Sequence, residues 1–191
     1  MSTAKRCALK EWALAIRALG EGRQVVLMRK GGIVEETGDF DLVSERFLLY
    51  PTFYHQEPSI LKPDVQSWLA DMPTEAPERI PVMYCACVTD LFPVEDAEAI
   101  DRLASSHIWT AEYIKDRFYW KPEKPLTTMV LRVYRLPAPG HIDPRPEYGG
   151  CRSWVDLFEP VDVDGMIPVL DDKTFGRLRA DVVDAISPVA G

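Results

Sequence analysis

Apolar positions along this chain follow two rhythms, one near 3.6 residues and one that is continuous or alternating. In "ALKEWALAIRALGEG", Leu9, Trp12, Ala13, Ile16 and Leu19 recur at helical spacing, and Gly20 and Gly22 stop the run. That pattern predicts an amphipathic helix. "RQVVLMRKGG" follows, with Val25, Val26, Leu27 and Met28 unbroken, as in a strand buried on both faces. Trp12, Ile16 and Leu19 are expected to pack beneath that strand. "GGIVEETGDFDL" reads as a loop or irregular hairpin. "RFLLYPTFYHQ" is the next strand, and Pro51, which has no N–H to donate, marks a bend or an edge in it.

The second half of the chain continues the alternation of elements. Residues 57–80 are rich in proline and acid, with a short helix expected in "LKPDVQSWLADM". "IPVMYCACVTDLFPV" reads as a core strand. "EDAEAIDRLASSHIW" reads as a helix with acids in its first turns, where the macrodipole favours them. "TAEYIKDRFYW" is a further helix with Thr110 as N-cap. "LTTMVLRVYRLPAP" is a long strand, "HIDPRPEYGGCRSWVDL" an irregular segment ending in a short one, and "DDKTFGRLRADVVDAI" a last helix. Too few helices lie between consecutive strands for a doubly wound parallel sheet. The expected class is α+β, a small curved, mostly antiparallel sheet or barrel flanked by helices. No repeat or linker divides the chain. A single domain over 1–191 is expected, with its core at about 8–157 and an acidic segment with a helix over 158–191.

Composition narrows the function. The net charge of −8 disfavours simple electrostatic nucleic-acid binding, but the charge is uneven. Residues 1–63 carry 9 basic and 8 acidic side chains, 64–101 carry 1 and 9, 102–154 carry 9 and 5, and 155–191 carry 3 and 8. A neutral or basic face shared by the first and third stretches is one reading; a uniformly solvated surface is the other. No apolar run approaches the roughly 20 residues of a membrane span, and no signal peptide is evident. A soluble, cytoplasmic protein is expected. Cys85 and Cys87 form a C-x-C in a strand, poor spacing for zinc, and are expected to be buried, reduced thiols.

Four stretches carry candidate chemistry. In "EGRQVVLMRKGG", Arg23, Arg29 and Lys30 offer anion recognition, with Arg29 able to present a bidentate fork; a plain basic surface turn is the alternative. In "RFLLYPTFYHQ", Tyr50 and Tyr54 offer rings for stacking, His55 a titratable imidazole and Gln56 an amide that reads a polar edge. In "SSHIWTAEYIKDRFYWKP", aromatics interleave with cations, and Tyr113, Arg117 and Trp120 share roughly one helical face. "RPEYGGCRSWVDL" places Arg152 and Ser153 after a glycine turn beside Tyr148, in a loop suited to closing over a cleft. Nucleotide-binding glycine loops, the hydrolase elbow and zinc-enzyme motifs are absent. Nothing in the spacing implies a metal or a cofactor.

The blocks "ALKEWALAIRALGEG", "LMRKGGI", "FLLYPTFYHQ" and "YGGCRSWVDL" together resemble an uncharacterised bacterial family, domain of unknown function 1802. That resemblance spans residue 8 to about 157 and implies no activity. At the level of fold, the opening helix and "GEGRQVVLMRKGG" are similar to the G-x-K-x-x-x-x-R opening of ASCH domains, in the RNA-associated PUA-like superfamily. Gly22 matches the glycine, Arg23 stands where lysine is usual, and Arg29 falls one residue late. Arg23 cannot lose its proton, so the resemblance does not extend to lysine-based amidohydrolase chemistry.

Two functions follow. One is a PUA-like binding module for RNA, a modified nucleotide or another small anionic ligand. Arg23, Arg29 and Lys30 would contact the anion in a cleft shared with Arg152, Tyr50, Tyr54 and Trp120 would stack, and His55 and Gln56 would read polar edges. The other is a nuclease or small hydrolase, with His55 as general acid/base, Glu35 or Glu36 as carboxylate partner or metal ligand, and Arg29 or Arg152 stabilising an anionic transition state.

Overall fold

A computed structural model describes residues 4–30, 42–54, 57–73, 75–94, 96–150 and 152–186. The elements run β1 (Lys5–Trp12), α1 (Ala13–Gly20), β2 (Val26–Lys30), β3 (Arg46–Thr52), α2 (Pro63–Gln66), β4 (Ile80–Val94), α3 (Ala97–Arg102), α4 (Ala111–Tyr119), β5 (Leu126–Ile142), β6 (Trp154–Val161), β7 (Ile167–Pro168) and α5 (Asp172–Ile186). The strands form one sheet in the order β2-β5-β4-β3-β1-β6, with β7 also on β5. Among the described residues only β1 and β3 pair in parallel; every other strand pairing is antiparallel. The fold is therefore α+β, a mixed sheet that stays open, with its end strands β2 and β6 unpaired to each other.

The helix expected over 8–22 is corrected by the structure. Its first part is β1, and the helix begins only at Ala13. The switch falls at Trp12 with φ −59° and ψ 135°, where no side chain caps the helix and neither glycine nor proline breaks the run. Residues 9–19 fit a helical period, yet Ala8 and Leu9 point into cores on opposite faces of the sheet. The end of the helix is as expected. Gly22, at φ +70°, lets its own N–H reach the Leu19 carbonyl and the Arg23 N–H reach the Ala18 carbonyl, a Schellman closure.

Two apolar cores explain the unbroken runs. Phe47 and Leu49 face the helix-covered core with Ile16, Leu19 and Val25–Met28, while Leu48 and Tyr50 face a second core with Val82, Cys85, Leu136 and Leu157. Trp12 packs half-buried against the first core, which contains Val25–Met28, and its ring stacks on Tyr113 at 5.7 Å. Cys85 and Cys87 are free thiols, and burial pushes the Cys85 thiol up to about 12. The C-terminal segment belongs to the body. Val182 and Ala185 of α5 are buried in the first core, and the Arg102 Nε donates to the Ala185 carbonyl at 2.6 Å. Among the described residues no helix is long and apolar enough to cross a membrane.

Candidate binding cleft

β3 pairs with β4 only from Arg46 to Leu48, but with β1 as far as Thr52. Pro51 thus lies inside the strand, opposite Glu11, and the loss of β4 comes before it. Where the two neighbours part, a cavity of about 620 Å³ opens. Tyr50, Pro51, Thr52 and Phe53 line it from β3 and its continuation. Lys10, Glu11 and Trp12 line it from β1, Arg29 from β2, and Pro144, Arg145, Tyr148–Gly150, Arg152 and Ser153 from the loop before β6.

Arg29 shows how strongly the sheet curves. It sits on the strand at one end of the sheet, yet its guanidinium donates to Glu11 Oε2 at 2.8 Å and Ser153 Oγ at 2.8 Å, beside the other end. The ends almost meet, and a side chain spans the gap. Glu11 is buried, and its other oxygen accepts from the Trp12 N–H at 2.8 Å. Lys10 ties down the loop, its ammonium donating to the carbonyls of Tyr148 and Gly150, each at 2.8 Å. Gly150 adopts φ +71°, the conformation that the paired glycines of this turn permit. Tyr148 is buried beneath that loop, edge-on to Tyr50 at 5.9 Å, and its hydroxyl accepts from the Phe158 N–H at 2.9 Å.

The balance of charge in the cleft is opposite to that of the chain. Its described lining holds Lys10, Arg29, Arg145 and Arg152 against one carboxylate, Glu11, which already pairs with Arg29. Arg145 and Arg152 are exposed and form no ion pair with a described carboxylate. Burial pushes the Tyr50 phenol above its ordinary value, with Tyr148 adding to the effect, so Tyr50 keeps its proton at neutral pH and remains a donor.

Of the residues singled out from sequence, the structure brings Arg29, Tyr50, Tyr54 and Arg152 into this one cleft. Three others lie elsewhere. Arg23 pairs with Asp64 on the surface and covers the Trp68 ring at 5.1 Å. Lys30 is buried under α4, donating to the Phe118 carbonyl, and burial lowers its pKa. Trp120 follows α4, 45% exposed, with the Lys121 ammonium 4.5 Å from its ring centre. Glu35, His55 and Gln56 lie outside the described residues, as does almost all of the loop expected over 31–42. Sequence reasoning missed Lys10, Glu11 and Arg145. The first two were hidden by the helical reading of β1. The available signal was the lack of any cap or breaker to start a helix before them.

A family model matches residues 8–181. The chain belongs to the family described as domain of unknown function 1802. Its match runs past residue 157 into α5, in keeping with the packing of that helix on the first core. No curated protein matches the chain. Among solved structures it is similar to ASCH from Zymomonas mobilis, at 15% identity and a TM-score of 0.47, over 92% of this chain and 94% of that one. A serine-to-alanine mutant of the Zymomonas mobilis protein is similar at 13% identity and a TM-score of 0.47, over 94% and 98%. These carry the name of the domain that the opening of this sequence resembles.

Proposed function

We propose that this DUF1802 protein is a binding module whose cleft takes RNA, a modified nucleotide or another small anionic ligand. The observation that carries the reading is the cleft's charge: four cations to one already paired carboxylate, on a chain of net charge −8. A basic concavity on an acidic molecule concentrates anions there. Tyr50, Phe53, Tyr54 and Tyr148 add rings, and base–aromatic stacking is worth about 1–3 kcal/mol per base. In this reading Arg152 and Arg145 meet the anion, and Tyr54 stacks. Arg29 already holds the wall and contributes field more than contact.

The test is titration of labelled single-stranded RNA and of ribonucleotides at low and physiological salt. Arg145→Ala with Arg152→Ala is expected to weaken binding by about tenfold or more and to flatten the salt dependence, with the melting temperature unchanged. Binding that ignores both substitutions, or no binding of either probe, sinks the proposal. The hydrolytic alternative has one observation in its favour: Arg29, Arg152 and the Glu11 carboxylate share the cleft. Cleavage of RNA by wild type, lost in His55→Ala, decides for it.

A further inference from the structure

A second, smaller cavity of about 90 Å³ adjoins the cleft, and Glu11, Trp12 and Arg29 line both. Its remaining wall comes largely from Trp109, Tyr113 and Arg117. Resting on the reading of the main cleft as a nucleotide site, we propose that this cavity receives the terminal phosphomonoester of the bound nucleotide, held by Arg117 within the field of Arg29.

Size decides which part of a nucleotide fits. A water molecule's share of liquid volume is about 30 Å³, and a designed cavity of about 150 Å³ takes one benzene. The small cavity therefore holds a phosphate group but not a base, and the base stays in the larger cleft. The small cavity also lacks the volume to enclose the second sugar of a phosphodiester along with the phosphate, which favours a chain end.

Charge points the same way. Arg117 donates to the Tyr113 hydroxyl at 3.3 Å and forms no ion pair with a described carboxylate. Its charge is felt by buried Lys30, where burial is the larger cause of the lowered pKa and Arg117 adds to it, against an opposing pull from Glu123. An arginine set near other cations, with no ion pair to a described carboxylate, is suited to a dianion. The Trp109 side chain closes one wall of the cavity, and its indole N–H is buried without a hydrogen-bond partner among the described residues. The Trp12 and Tyr113 rings, stacked at 5.7 Å, form an apolar side of the cavity, where charge contacts are screened less than in open water.

Such an end belongs either to a free mononucleotide or to the 5′-phosphorylated end of an RNA strand. Calorimetric titration separates them. The probes are each common ribonucleoside 5′-monophosphate with its nucleoside, and one short RNA with and without a 5′-phosphate. In wild type the phosphorylated member of a pair is expected to bind about tenfold tighter or more. That advantage disappears in Arg117→Met, while affinity for the unphosphorylated member stays. If the advantage appears only with mononucleotides, the free nucleotide is the source; if only with RNA, the strand end is. Should Arg117→Met melt early, Arg117→Gln is titrated in its place. A phosphate advantage that survives loss of Arg117, or is absent from wild type while RNA still binds, overturns the subsite and leaves the main cleft standing. Failure of every probe to bind overturns both.

Discussion

Arg29 does by side chain what a ladder of backbone hydrogen bonds does elsewhere in the sheet. Its ion pair with Glu11 is largely buried, with 17% and 8% of the two side chains exposed. Removing one partner of such a pair leaves the other charge without compensation, at about 3–5 kcal/mol, whereas removing both is often neutral. Arg29→Met is therefore expected to lower stability by about that amount, and Arg29→Met with Glu11→Gln to regain most of it, read from urea unfolding. Additive losses in the double variant would show that the pair is not a coupled unit. His107 is the complementary case, a buried group that avoids charge. Burial, and then the charge of Lys62, push its pKa down to about 3; the Trp109 backbone pulls weakly the other way without making a full hydrogen bond. Its folded pKa lies below the unfolded value of about 6.5, so its contribution to stability is whole above that value and is lost as pH falls from there towards about 3. His107→Leu is expected to lose less melting temperature than wild type between neutral pH and pH of about 4. Equal losses would mean that His107 already takes a proton in the folded state.

At the scale of elements, α4 matters because it carries Tyr113 and Arg117 to the small cavity. It is short, and Thr110 caps it, the hydroxyl accepting from the Tyr113 N–H at 3.3 Å. Thr110→Ala is expected to cost about 1 kcal/mol by chemical denaturation, as loss of such a cap does. An unchanged unfolding midpoint would show that packing alone fixes the start of the helix. This helix, β4, β5 and α5 were legible in the sequence because each has strong periodicity or clear punctuation. β3 was legible for the same reason: "FLLY" feeds two cores alternately, and its proline lies where only one neighbour remains. β1 was not. Its residues satisfy a helical period by accident of continuity with α1, and what makes them a strand is β3 and β6 on either side, contacts no local pattern records. That single misreading hid the Lys10 and Glu11 half of the cleft. Arg29 and Arg152 were legible as cations beside glycine turns, whereas Arg23, equally basic and equally close to a glycine, is spent on Asp64 and Trp68.

At the scale of the molecule, the cleft is a meeting place of distant parts of the chain. Its lining runs from Lys10 through Arg29, Tyr50 and Ile80 to Ser153, and β1 and β6 close it by pairing Lys5 with Val161 and Leu9 with Trp154. Contacts so far apart in sequence form slowly, because the entropy of closing the intervening chain must be overcome before they contribute. The site has no local precursor: the first strand waits, one flank unpaired, until the sixth arrives. On the ribosome this sets an order. A growing chain holds β1 through β5 with every cation but Arg145 and Arg152 already made, yet lacks the wall that turns them into a concavity. The concavity is thus complete only when synthesis has passed β6, and a chain that stalls earlier lacks the finished cleft that the proposed binding function requires.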